Sequence, residues 1–279
     1  MQMSEQEIGC NRRDVSTTLN YYPADSGPPI PVIVSAQSNT VTNKRPSIAT
    51  TVTVSDVTGH ESEYNLNKNG FQFVQHVSEE KVFNDEGRIT SIYYAEVERL
   101  LKDVTGASRV VVFNHRVRRG PSDWHNAGMN NRLNAGPLFK VHIDQSYDGA
   151  ELQLRSLLPE EADELVKQRY QIVNVWRPIK TVLRDPLAVA DARSVADEDL
   201  LPASVIKPNG RSETWTVKPN ANHRWFFKYK QRPDEVVVIK CFDSDKSVAR
   251  RVPHSAFKNS DHDEEPHRES IEVRAIVLY

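Results

Sequence analysis

The sequence predicts a mainly β protein, a sandwich or jelly-roll barrel of short strands with helices packed outside it. Three observations predict this. From residue 170 onward come "YQIVNVW", "LAVAD", "ETWTVK", "HRWFFKY", "EVVVIKCF", "SVARRV" and "IEVRAIVLY", all short and rich in β-branched or aromatic residues. Pro, Asn, Asp and Gly punctuate them, as turns require. Helical spacing of apolar residues is confined to two stretches in the first 170 residues, and no internal repeat or low-complexity run suggests a solenoid.

Residues 1–60 are rich in Ser, Thr, Pro and Asn and read as an irregular N-terminal arm packed on a barrel domain of residues 61–279. "DSGPPIPV" is a loop or extended segment, because proline restricts itself and its predecessor. "TVTVSDV" (51–57) alternates as a short strand, and "NKNGFQFVQH" (67–76) places an Asn-Gly turn before a second. "ITSIYYAEVERLLKDVTG" (89–106) is the clearest helix, with apolar residues at steps of three and four and Gly106 as a stop. "SRVVVFNH" (108–115) is a strand. The basic "HRVRRGPSDWHNAG" (115–128) reads as a loop, either a solvated surface, a lid or a contact for an acidic substrate. "PLFKVHID" (137–144) is a strand and "LPEEADELVKQRY" (158–170) a short helix with acids in its first turn.

Composition narrows the function. Of 279 residues, 36 are Lys or Arg and 38 are Asp or Glu, so no excess of positive charge favours nucleic acid or an anionic membrane as partner. No stretch reaches the roughly 20 apolar residues of a membrane helix. Cys10 and Cys241 are far apart and form no CxxC, which argues against a disulfide framework and suits a reducing compartment. Cys241, inside "EVVVIKC", reads as a buried thiol. "MQMSEQEIGCNRRDVS" has no apolar core of a secretory signal, so the expected location is the cytoplasm. A homodimer is the base expectation for assembly.

His142 and Asp144 in "VHIDQS" are two residues apart and share one face of a strand. A nitrogen and a carboxylate can therefore reach one cation, although a polar strand end looks the same. His254 in "VARRVPHSAF" can supply a third ligand from a later strand. Arg268 and Ser270 in "RES" again share a face, and a guanidinium with a hydroxyl suits a carboxylate. Two histidines and one carboxylate with open positions opposite suit non-heme Fe(II). The plainer alternatives are a core histidine at His254 and a surface Arg268–Glu272 pair. On "YQIVNVWRPI", Tyr170, Asn174 and Trp176 share a face, with Val173 and Val175 on the other. Tyr170 and Asn174 are the expected donors to cosubstrate or substrate. Trp176, Arg177 (if a bulge before Pro178 turns it inward) and Trp225 are weaker substrate candidates. His223 can line a pocket.

"NGFQFVQH", "VHIDQS", "RYQIVNVWRPI", "PDEVVVIKCFDSD", "VARRVPHSAF" and "RESIEVRA" together resemble the fungal family of gibberellin-desaturase-like and aspergillic acid hydroxylase/desaturase-like Fe(II)/2-oxoglutarate-dependent oxygenases. That family is related to the bacterial cephamycin methoxylation subunit. The resemblance runs from "LNYYP" (19–23) to the end of the chain. It implies a double-stranded β-helix (jelly-roll, cupin-like) fold, with His142, Asp144 and His254 as iron ligands. It also implies 2-oxoglutarate and O2 as cosubstrates, and a C-terminal arginine on the far carboxylate of 2-oxoglutarate. Arg268 fits that role through its RxS motif, and Arg274, of the same strand parity, is the reserve. The implied activity is hydroxylation, desaturation or oxidative cyclisation of a small molecule in secondary metabolism. An iron oxidase that does not use 2-oxoglutarate, or a metal-free binding or accessory protein, would share the same barrel.

Overall fold

The structure, a computed structural model, describes residues 13–34, 41–42, 45–120, 135–207 and 210–279. The strands are β1 (Val15–Tyr21), β2 (Val32–Val34), β3 (Val41–Thr42), β4 (Ile48–Asp56), β5 (Phe71–Gln75), β6 (Arg109–Arg118), β7 (His142–Ile143), β8 (Tyr170–Pro178), β9 (Leu187–Ala190), β10 (Leu200–Lys207), β11 (Gly210–Val217), β12 (Trp225–Phe227), β13 (Glu235–Asp243), β14 (His254–Ala256) and β15 (Ser270–Leu278). They form a ten-stranded sheet in the order β1-β4-β12-β9-β14-β7-β11-β10-β2-β3. A five-stranded sheet has the order β5-β13-β8-β15-β6.

The five-stranded sheet is antiparallel throughout. Alternation along β8 and β15 sorts its side chains onto two faces. Val173, Val175, Val273, Ala275 and Val277 pack outward on a helical segment. That segment runs from α1 (Glu86–Arg88) through a π-helical turn at Ile89–Tyr93 into α2 (Tyr94–Thr105). Gly106 ends it in the left-handed conformation (φ 73°), which a glycine adopts without a Cβ penalty. Ile89 and Tyr93, four residues apart on the same face of this segment, are both buried. Ile172, Ile276 and Leu278 point the other way, into a core shared with Leu19, Val54 and Ala188 of the large sheet. The barrel interior lies between the two sheets.

Five local expectations change. The stretch before residue 61 is not simply irregular: β1 and β4 pair over their whole length and continue the large sheet. The helix expected at 158–170 is preceded by a longer one, α3 (Tyr147–Leu157), and reduced to α4 (Ala162–Leu165). Ser146 caps α3 by accepting the Gly149 N–H at 2.8 Å. The segment 137–144 pairs only at β7. "SVARRV" forms no strand, because its arginines bind carbonyls elsewhere: Arg250 donates to Asp243 O at 3.0 Å and Arg251 to Val195 O at 2.8 Å. The basic loop reads differently at its start, since residues 115–118 belong to β6, while 121–134 and Cys10 lie outside the described residues.

Candidate active site

β7 and β14 are antiparallel neighbours, and their one paired position sets His142 opposite His254. The two rings lie 4.4 Å apart between centroids. Asp144 follows β7 immediately. One ligand atom from each of the three residues falls within 4.8 Å of the others, which among the described residues makes a cluster able to hold a metal ion. Each histidine meets a carbonyl two residues earlier in the chain: His142 Nδ1 lies 2.7 Å from Lys140 O and His254 Nδ1 3.2 Å from Val252 O. A carbonyl only accepts, so Nδ1 carries the proton and Nε2 keeps its lone pair for a metal. Burial pushes His254 down to about 4, so it is neutral at physiological pH.

Asp144 is held from one side. Its Oδ2 accepts from Arg274 Nε at 2.7 Å and from Asn174 Nδ2 at 2.8 Å. Its Oδ1 faces His142 Nε2 at 3.4 Å. Burial raises the Asp144 pKa, but the Arg274 guanidinium outweighs it and holds the carboxyl well below the usual range. One anionic oxygen and two imidazole nitrogens thus converge, with the other carboxylate oxygen already occupied. This is a His/Asp/His facial triad consistent with an Fe(II)/2-oxoglutarate site.

Arg268 is buried and lies 5.3 Å from the Trp176 ring centroid. Its one hydrogen bond goes to Asp185 O at 2.8 Å, and its Nε finds no partner. The hydroxyl of Ser270, also buried, is likewise unpartnered. Such groups are costly to bury unless something accepts from them. Arg274, the reserve candidate, is instead ion-paired with both Asp144 and Glu272. It orients Asp144, and its remaining terminal nitrogen donates to Asn114 Oδ1 at 3.2 Å.

Three expectations along β8 need correction, and one holds in altered form. Asn174 faces the site as its parity requires, but it donates to Asp144. Tyr170 stands four residues further along, about 13 Å away, with its ring packed on Phe242 at 4.9 Å. It belongs to the core. Trp176 faces inward yet serves as the platform of Arg268. The β8–β15 register runs without a bulge from Tyr170 to Pro178, so Arg177 stays on the outer face. There it donates to Tyr93 Oη at 2.9 Å and His76 O at 2.8 Å, remote from any substrate role. Trp225 is also structural: its indole donates to Tyr21 Oη at 2.8 Å.

His223 closes that last chain. Its Nδ1 lies 3.2 Å from Tyr21 Oη and its Nε2 3.1 Å from Asp199 Oδ2. Trp225, Tyr21, neutral His223 and Asp199 then each donate or accept in sequence, with no group left over. Burial lowers the His223 pKa below 6.5, against the pull of Asp199. A histidine whose folded pKa is depressed gives stability that is complete above the unfolded pKa and is lost as pH falls below it. Thermal melts at about pH 7.5 and about pH 5.5 should show the folded state weaken on acidification. The variant His223→Gln should show a shallower drop, and an equal drop would exclude His223 as a source.

A model of the "Oxidoreductase/YMDC permease-like domain" family matches residues 19–278. The hydroxylase/desaturase efuI of Hormonema carpetanum is 41% identical over 95% of this chain and 95% of its own length. The alpha-ketoglutarate-dependent dioxygenase phiK of a fungal species (strain ATCC 74256) is 36% identical over 78% of this chain and 80% of its own. The chain belongs to the fungal Fe(II)/2-oxoglutarate-dependent oxygenase family. Among solved structures, the iron and alpha-ketoglutarate-dependent endoperoxidase NvfI superposes with a TM-score of 0.80 at 27% identity, covering 96% of this chain and 98% of that one. The oxygenase therefore has the mainly β, cupin-like double-stranded β-helix fold of those enzymes, with flanking helices. No helix among its described residues is long and apolar enough to cross a membrane.

Sequence reasoning missed two inward-facing residues of this oxygenase, Glu272 and Arg118. Glu272 lies two residues beyond Ser270, so strand parity alone places it on the inner face. Arg118 needed the strand "RVVVFNHRVR" to be extended to its end.

Proposed function

We propose that His142 Nε2, Asp144 Oδ1 and His254 Nε2 hold Fe(II), and that Arg268 and Ser270 hold the far carboxylate of 2-oxoglutarate. The observation that carries this reading is the pair of orphaned buried donors, Arg268 Nε and Ser270 Oγ, on the same inner face as the triad. A carboxylate satisfies both, and a guanidinium in a site of low polarity binds it strongly.

Fe(II) with bound 2-oxoglutarate and O2 supplies an oxidant able to break an unactivated C–H bond, with succinate and CO2 as coproducts. The protein supplies the geometry. A neutral His254 needs no deprotonation before binding a cation. Arg274 and Asn174 keep Asp144 presenting one oxygen. Trp176 covers one face of the Arg268 guanidinium and leaves its edge to the ligand. The substrate is a small molecule of fungal secondary metabolism, and the outcome is hydroxylation or desaturation, as the name of the relative efuI supports.

Protein loaded anaerobically with Fe(II) and then exposed to O2 tests this. Succinate should form from 2-oxoglutarate even without the primary substrate, and only when both metal and 2-oxoglutarate are present. Oxygen consumption with bound iron but no succinate would favour an iron oxidase that does not use 2-oxoglutarate.

A further inference from the structure

The register of β6 on β15 sets Arg118 directly opposite Ser270, with no irregularity until Arg274. Opposed residues of an antiparallel pair share a face, with Cβ atoms about 5 Å apart. Arg118 therefore projects from the same face as Ser270, Glu272 and Arg274, the face that reaches Asp144. Arg268 lies two residues before Ser270. Arg116, opposite Glu272, shares this face as well, so four arginines and two acids meet on this side of the barrel.

The charges do not pair off evenly. Arg274 takes both Asp144 and Glu272. Neither Arg118 nor Arg268 has an ion pair among the described residues. Arg118 donates to Gly136 O at 2.8 Å, and Arg268 to Asp185 O at 2.8 Å; both acceptors are backbone carbonyls. The Asp185 carboxylate is drawn to Lys258 at 2.9 Å instead. Two guanidiniums are held near one another, with an unpartnered Nε–H and an unpartnered serine hydroxyl beside them. Burial pushes Arg268 down to about 9, and the charge that adds most to this is that of Arg118. Like charges confined in a poorly solvated space repel, and an anion between them turns that repulsion into attraction.

We propose that Arg118 is a second arginine of the cosubstrate site, closing with Arg268 and Ser270 on the far carboxylate of 2-oxoglutarate. This rests on the reading that the protein binds 2-oxoglutarate. A carboxylate has two oxygens and about four acceptor positions, which suits donors arriving from β6 and from the start of β15 together. Arg268 approaches with Trp176 on one face. Arg118 approaches from the neighbouring strand, so the far end of the ligand is gripped from two directions. A 2-oxo acid without a far carboxylate leaves both arginines uncompensated.

Binding of 2-oxoglutarate and of 2-oxobutyrate, which lacks the far carboxylate, tests the proposal on anaerobic Fe(II)-loaded protein by calorimetry. Arg118→Gln should weaken 2-oxoglutarate by about tenfold or more, the size expected for a lost charge-assisted hydrogen bond. It should leave 2-oxobutyrate within about twofold. Arg118→Lys, which keeps the charge and loses the fork, should fall between Arg118→Gln and the parent. Unchanged 2-oxoglutarate binding in Arg118→Gln overturns the proposal and assigns the arginine to a carboxylate of another ligand. An equal loss for both 2-oxo acids overturns it as well, since the effect would then lie at the metal end. Failure of the parent protein to bind 2-oxoglutarate would instead remove the reading beneath it.

Discussion

Asp144→Asn loses Fe(II)-dependent turnover and weakens Fe(II) binding by at least about 100-fold, the upper range for disturbing even the partners of a metal ligand. The substitution keeps the shape of the side chain and removes its charge. Asp144 is the sole anion of the triad, and it is ionised because the Arg274 guanidinium overrides its burial. With Asn in place, two imidazoles face the cation alone, and Arg274 keeps Glu272 as its partner. The fold should therefore survive, which unfolding curves can verify. Anaerobic Fe(II) titration of parent and variant decides the matter: equal affinities would show that the metal does not sit at His142, Asp144 and His254.

Gly149→Ala destabilises the protein by about 3 kcal/mol, at the upper end for forcing one extra carbon into a packed contact. Gly149 lies in the first turn of α3. A Cβ there would fall 2.1 Å from the carbonyl oxygen of Glu213, which is backbone and cannot rotate away. The same stretch of β11 anchors the helix start: Ser146 N donates to Glu213 O at 3.0 Å, and Ser146 Oγ to Glu213 Oε1 at 2.8 Å. Moving α3 off β11 disturbs both contacts. It also disturbs β7, since Thr216 of β11 is registered on His142. Urea unfolding should show the loss, with weaker Fe(II) binding accompanying it. A variant within about 0.5 kcal/mol of the parent, as at an ordinary surface position, would refute the close packing.

Much of this site was legible from the two-residue period of a strand. That period put His142 with Asp144, Arg268 with Ser270, and Asn174 with Trp176, and each pair faces the barrel interior as expected. The period also misled where it met an assumed irregularity. Arg177 was open to inward rotation only through a bulge, and the continuous β8–β15 register removes that bulge. Tyr170 has the right parity and the wrong level, because parity reports a face and not a distance along the strand. β1 escaped notice for a different reason. β1 (VSTTLNY) is stabilised by its pairing with β4 and carries little apolar signal of its own.

By itself, the sequence determined the class of fold, the ligand types of the candidate centre and the faces on which they lie, because these follow from residue chemistry and local periodicity. Only the tertiary structure distinguishes the surroundings of Arg268 from those of Arg274. Both share one parity and one chemistry, so no local pattern separates them. They differ in what the fold brings near: two acids at Arg274, and at Arg268 a tryptophan face, a backbone carbonyl and a second arginine. Electrostatic neutralisation acts across strands far apart in the chain, so among the described residues Arg274 has carboxylate ion pairs and Arg268 has a backbone carbonyl instead.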